Sequence, residues 1–96
     1  MKDENAVKKA VIKYLDDFGW FHFPIIQNFK KAQGMRGVPD RIAMKNGVVL
    51  FVEIKGPGGS LSEYQELFKS SCEHHECNYV VVENIVDLNI YIGGLG

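Results

Sequence analysis

Asp40, Glu53 and Lys55 are the residues whose types and spacing are best suited to chemistry on a charged substrate. Between them runs Lys45-Asn46-Gly47-Val48. Asn-Gly flanked by apolar alternation is a strong hairpin signal, because both turn residues must take positive φ. With Asn46 and Gly47 as the turn, Lys45 faces Val48, Met44 faces Val49, Ile42 faces Phe51 and Asp40 faces Glu53. Opposed side chains share one face with Cβ atoms about 4.5–5.5 Å apart, and Lys55, two residues past Glu53, lies on that face too. Two carboxylates that close repel each other unless a cation stands between them. The expected chemistry is therefore retention of a hard divalent metal, an arrangement suited to phosphodiester cleavage. Two alternatives compete with this reading. A three-residue loop with a bulge would slip the register by one and turn a strand over. An exposed Glu53–Lys55 ion pair on an edge strand, with Asp40 merely following a Pro turn, would need no metal at all.

The elements that must position these residues are legible in the periodicity. Val7, Val11, Tyr14, Leu15 and Phe18 recur at three- and four-residue steps, so residues 3 to 18 read as an amphipathic helix with Asp3 as N-cap and Gly19 just past its end. Trp20 to Gln27 reads as a strand, and Pro24 implies an edge or a bulge. Asn28 to Val38 shows no periodicity, and a loop of that length in so small a protein tends to be functional or mobile. The hairpin spans about residues 40 to 55. Gly56-Pro57-Gly58-Gly59 ends it as a turn, lacking the lysine and hydroxyl of a phosphate-binding P-loop. Ser60 with Glu63, or Ser62 with Gln65, then opens a helix that runs to about Glu76. Tyr79 to Val82 is a short apolar run suited to a central strand, joined to the hairpin by a right-handed crossover and parallel pairing. Asn84, capping toward Asp87, opens a short last helix through Ile85, Leu88 and Tyr91. The order is α-β-β-β-α-β followed by that helix, an α/β fold with a mixed sheet.

Ninety-six residues of ordinary hydrophobic and charged content predict one globular domain with a modest core. The start Met-Lys-Asp-Glu-Asn lacks the apolar stretch of a signal peptide, and no apolar run is long enough to span a bilayer. Two cysteines, Cys72 and Cys77, are too few for a disulfide framework and suit a reducing cytosol, so a cytoplasmic protein is expected. The net charge of −1 does not announce a nucleic-acid binder. Its distribution is more favourable: Lys30, Lys31, Arg36, Arg41 and Lys45 surround the single acid Asp40, whereas Glu63 to Asp87 is strongly acidic. A basic half beside the carboxylates is the form a phosphate-facing surface takes, although scattered solvated lysines would look the same.

Two further polar residues fall on stripes expected to face the core. Glu4 precedes Val7 and Val11 by three and seven residues, and Gln65 lies between Leu61 and Phe68 at helical spacing. Burying either without a partner costs several kcal/mol. Each has a plain account: Glu4 as a frayed helix end, Gln65 as a capping residue. Together with the hairpin cluster they form the outer wall of one polar site. Cys72-Glu-His74-His75-Glu-Cys77 does not match paired zinc-ligand spacing, and ligands so close on one helix cannot easily surround an ion. No Ser-His-Asp or Cys-His arrangement stands out.

The ordered set Glu4, Gly37-Val38-Pro39-Asp40-Arg41, Glu53-Ile54-Lys55 and Gln65 resembles the PD-(D/E)XK nuclease superfamily, with its restriction-endonuclease-like core. Within it the chain looks like a stand-alone virus-type replication-repair nuclease (VRR-NUC) domain, from Glu4 to about Leu88. The resemblance implies a metal-dependent DNA endonuclease. Asp40, Glu53 and the Ile54 carbonyl would hold Mg²⁺ or Mn²⁺, and Lys55 would stabilise the attacking hydroxide and the developing phosphorane charge. Gln65 would position Lys55 or the water, and Glu4 would support the site from the first helix. It further implies a homodimer acting on branched DNA, four-way junctions first, with Lys30, Lys31, Arg36, Arg41 and Lys45 meeting phosphates. A non-catalytic DNA-binding or assembly subunit that keeps the fold is the alternative. One departure from the family pattern is Cys77-Asn78, where relatives often carry glycine before the last strand. Asn tolerates the left-handed conformation, so the departure bears on an element boundary and not on the site.

Overall fold

The computed structural model of the chain describes residues 3–26 and 36–95. Helix α1 (Glu4–Asp17) is capped by Asp3, whose carboxylate accepts the Ala6 N–H at 2.9 Å. It ends at Phe18, and Gly19 follows at φ 80°. Strand β1 (Phe21–Pro24) is shorter than the pattern suggested, and as the edge strand it accommodates Pro24 because the missing N–H faces away from β2. Strands β2 (Arg41–Lys45) and β3 (Val48–Ile54) form the expected hairpin, with Asn46 at φ 51° and Gly47 at φ 83°. Helix α2 (Glu63–His74), strand β4 (Asn78–Val82) and helix α3 (Ile85–Gly93) complete the order α-β-β-β-α-β-α.

The sheet runs β1-β2-β3-β4, antiparallel except for the parallel β3–β4 pair that α2 connects. The mixed α/β architecture read from the sequence is therefore present. Its two faces differ. Ala43, Leu50, Val52, Ile54, Val80 and Val82 pack with Val7, Val11 and Leu15 of α1, Trp20, and Leu88 of α3 in one apolar core. The opposite face carries Ile42, Met44, Phe51, Glu53 and Tyr79, and α2 covers it through Phe68, whose ring meets Phe51 at 5.3 Å and Tyr79 at 5.9 Å.

The left-handed position before β4 falls on neither Cys77 nor Asn78. Glu76, at φ 59°, takes it, and Asn78 instead begins the strand. The helix ends two residues before Glu76, so its chain reversal precedes the Cys77-Asn78 pair. Lys30, Lys31 and the rest of 27–35 lie outside the described residues. Among the described residues no helix is long and apolar enough to cross a membrane.

Candidate active site

Next to the last residue of β3, Glu53 points beneath α2 and is only 1 % exposed. A buried carboxylate costs several kcal/mol unless donors and opposite charge offset the loss of water. Two do so here. The Gln65 amide nitrogen donates to Glu53 Oε2 at 3.0 Å, and Lys55 Nζ stands 4.0 Å from the same oxygen. Gln65 can reach because it is the third residue of α2. Its N–H donates to Ser62 Oγ at 3.2 Å, and its own Oε1 accepts the Ser62 N–H at 2.8 Å. The capping box thus fixes the amide oxygen and leaves the nitrogen aimed at Glu53. Gln65 is therefore both the cap of α2 and a hydrogen-bond partner of Glu53. Its contact is with Glu53, not with Lys55.

Asp40 reaches the site by a small departure from the hairpin register. The paired residues run from Lys45–Val48 to Arg41–Val52, as the turn requires. Asp40, which that register would set opposite Glu53, instead donates its N–H to the Val52 carbonyl at 3.0 Å. Asp40 and Arg41 thus both lie against Val52, a one-residue offset of the kind a bulge makes, and such offsets re-aim side chains. The Asp40 carboxylate accepts the Ile54 N–H at 2.7 Å, which brings it over the strand between Glu53 and Lys55. Its carbonyl accepts the Ile25 N–H at 2.8 Å, tying the segment to the end of β1. Gly37, at φ 82°, lets the approach to Asp40 cross the first turn of α2. A Cβ there would lie 2.2 Å from the Tyr64 carbonyl oxygen and 2.9 Å from the Gln65 nitrogen. Gly37-Val38-Pro39-Asp40 and Gln65 are therefore one packed unit.

Glu4 does not face the core: it is exposed, because the first turn of α1 projects past the end of the sheet. It is nevertheless at the site. With Lys55 and Gly56 to Ser60 it lines an open cleft of about 840 Å³. With Lys8, Asp40, Arg41 and Ile54 it lines a smaller cavity of about 260 Å³. Glu4 stands between these two spaces.

The expected phosphate contacts separate. Arg36 is exposed beside α2, donating to the Tyr64 hydroxyl at 3.1 Å with its guanidinium 5.1 Å from that ring's centre. Arg41 is buried at 8 % exposure on the α1 side, where its Nε and Nη2 lie 3.2 and 3.0 Å from His22 Nδ1. Because Nδ1 accepts, the His22 proton sits on Nε2, 2.7 Å from Asp16 Oδ1. Burial lowers the Arg41 pKa, while Asp16 and Asp40 oppose the shift. Lys45, at the far end of the hairpin, donates to the Phe18 carbonyl at the end of α1, a favourable place for a cation. Lys45 thus serves the end of α1, whereas Arg41 packs on the α1 side and also lines the smaller cavity with Glu4 and Asp40.

The donor chemistry fits a hard cation. Among the described residues no three His, Cys, Asp or Glu side chains gather as a metal cluster. The available set is two carboxylates, Asp40 and Glu53, with the carbonyl of Ile54, the residue after Glu53. All are oxygen donors, and so few suit Mg²⁺ or Mn²⁺, since Mg²⁺ keeps several of its waters.

No family model matches the chain. A phage protein does: "Putative nuclease p44" of Acyrthosiphon pisum secondary endosymbiont phage 1 is 33 % identical over 63 residues. The match covers 65 % of this chain and 62 % of that protein's length. The chain is thus similar, over most of its length, to a phage protein named as a nuclease.

Proposed function

We propose that the chain is a metal-dependent endonuclease that hydrolyses DNA phosphodiesters, of the PD-(D/E)XK type and its VRR-NUC group. The observation that carries this reading is the buried Glu53 carboxylate held between Gln65 and Lys55, with Asp40 bonded to the next residue of the same strand. The likeness to a phage protein named as a nuclease supports it independently.

In this reading Asp40, Glu53 and the Ile54 carbonyl hold Mg²⁺ or Mn²⁺. When bound, such an ion polarises a phosphoryl oxygen and acidifies water. Lys55 stands on the cleft side of Glu53 and donates to the charge that develops on the phosphate. Gln65 holds the Glu53 carboxylate in one orientation, so that this bond is in place before substrate arrives. Glu4 orients water at the edge of both cavities.

The substrate reading is branched DNA, four-way junctions first, cut by a homodimer. Phosphate contacts such as Arg36 set position without reading sequence, so selectivity falls to DNA shape. The first strand and the last helix leave Phe21, Phe23, Val86 and Ile90 exposed, and apolar surface of this kind marks interaction sites. A two-fold pair matches the near two-fold symmetry of an open junction.

The test is a panel of equal-length linear, flap, splayed and four-way DNAs in Mg²⁺, Mn²⁺ or chelator, with the oligomeric state measured by light scattering. Paired nicks in the four-way DNA by a dimer, absent in chelator, are expected. Equal rates on linear and four-way DNA would remove the branched-DNA reading. Bound but intact DNA in both metals would remove the enzyme reading in favour of a binding subunit.

A further inference from the structure

Tyr79 opens the apolar run of β4 and reads from sequence as core. Its Cα pairs with Phe51, and two residues on Val81 pairs with Glu53, so the Tyr79 ring lies on the α2 face beside the site. The residue is 9 % exposed, and its ring packs against Phe68. The other three tyrosines all use their hydroxyls. Tyr14 donates to Asn89, Tyr64 accepts from Arg36, and Tyr91 accepts from the Tyr79 N–H and donates to Asn78. The Tyr79 hydroxyl is buried and meets no hydrogen-bond partner among the described residues. A buried hydroxyl left without a partner forfeits its hydrogen bonds to water and gains none in return. Phe51 and Phe68 fill the same layer without a hydroxyl, so packing does not account for it.

The surroundings of the phenol indicate what it serves. Burial raises its pKa most, and the charges of Glu53, Cys72, Asp40 and Glu66 add to the shift. The hydroxyl thus lies within the field of both site carboxylates and remains a donor. We propose that Tyr79 is a positioning residue of the site, its phenol serving as the sheet-side donor that orders Glu53 opposite the Gln65 amide when the carboxylates hold a divalent cation. This rests on the nuclease reading above.

The variant Tyr79→Phe separates this role from packing, because it keeps the ring. Four quantities are compared with the wild type: Mn²⁺ affinity by calorimetry, the single-turnover cleavage rate at saturating DNA in Mg²⁺, DNA affinity in Ca²⁺, and melting temperature in chelator. Loss of an outer partner of a metal ligand typically costs 10–100-fold, so Mn²⁺ affinity and cleavage rate are each expected to fall about tenfold. DNA affinity in Ca²⁺ is expected to stay unchanged, and melting in chelator to stay equal or rise. Wild-type Mn²⁺ affinity and rate in Tyr79→Phe would overturn the proposal and leave the nuclease reading standing. So would a lowered melting temperature that accounts for the lost activity. If the wild type binds Mn²⁺ but cuts no DNA, the nuclease reading falls and the Mn²⁺ comparison alone decides: weaker binding supports Tyr79, equal binding overturns it. A wild type that neither binds Mn²⁺ nor cuts overturns both.

Discussion

On the face covered by α1 and α3 the sheet presents Ala43, Leu50, Val52, Ile54 and Val82, none more than 2 % exposed. On the face covered by α2 it presents Glu53 and Lys55 beside half-buried Ile42, Met44 and Phe51. The same strands build both, since successive side chains alternate between faces. Stability is concentrated on one side, and the other tolerates a buried carboxylate, a lysine and an orphan phenol. The polar exception on the α1 side is Arg41, and there the charge is used for construction: His22 and Asp16 clamp β1 and β2 to α1.

That division is open to attack from either side. The largest effect is expected from Asp40→Asn and Lys55→Met, each of which should lower the cleavage rate about a thousandfold, the scale of several kcal/mol of lost charge stabilisation. Melting should move little, as measured by scanning calorimetry on the same samples. Leu50→Ala should do the reverse. A fully buried leucine costs about 2–5 kcal/mol on truncation, which is about 10 °C or more of melting temperature in a domain of this size. Cleavage by the remaining folded protein should stay near wild type. If Leu50→Ala abolished activity at a temperature where it is folded, the two faces would not be separable.

Gln65→Glu tests the joint between them. It keeps the oxygen that caps Ser62 and replaces the amide that donates to Glu53 with an acceptor. Cleavage should fall about 10–100-fold, a larger effect than the change in melting. The smallest effect is alkaline. Burial and nearby charge raise the Tyr79 pKa above its ordinary 10.0, so the folded chain holds that proton more tightly than the unfolded one. The stabilisation is present below that value and lost as pH rises toward the folded-state pKa. Tyr79→Phe should therefore lose less stability than the wild type on going from about pH 9 to about pH 11, as read by denaturant unfolding.

Much of the architecture was legible because it rests on local rules. Asn46-Gly47 dictated the hairpin pairing, and Ser62-x-x-Gln65 and Asn84-x-x-Asp87 supplied complete capping boxes. Where the structure departs from the pattern, the causes are equally physical. Arg41 and Lys45 have the parity of Ala43, so alternation alone sends them to the α1 side, away from the face of Ile42 and Met44. Charge clustering along the chain concealed this. Glu4 has core-facing spacing, yet the spacing cannot tell that the helix begins beyond the end of the sheet. The offset at Asp40 and the link between Gly37 and Gln65 arise from contacts between distant segments, on which no periodicity bears. His22, placed in a strand by its neighbours, gave no sign of the buried arginine it would meet.

The central claim is that the buried carboxylate of the α2 face is there for a metal-assisted cut and not for the fold. It is tested most directly by Glu53→Gln, assayed with labelled four-way DNA in Mg²⁺ and melted in parallel with the wild type. The account predicts cleavage by the wild type, none detectable in the variant, and a melting temperature for the variant equal to or above that of the wild type. Cleavage by Glu53→Gln at the wild-type rate would contradict it.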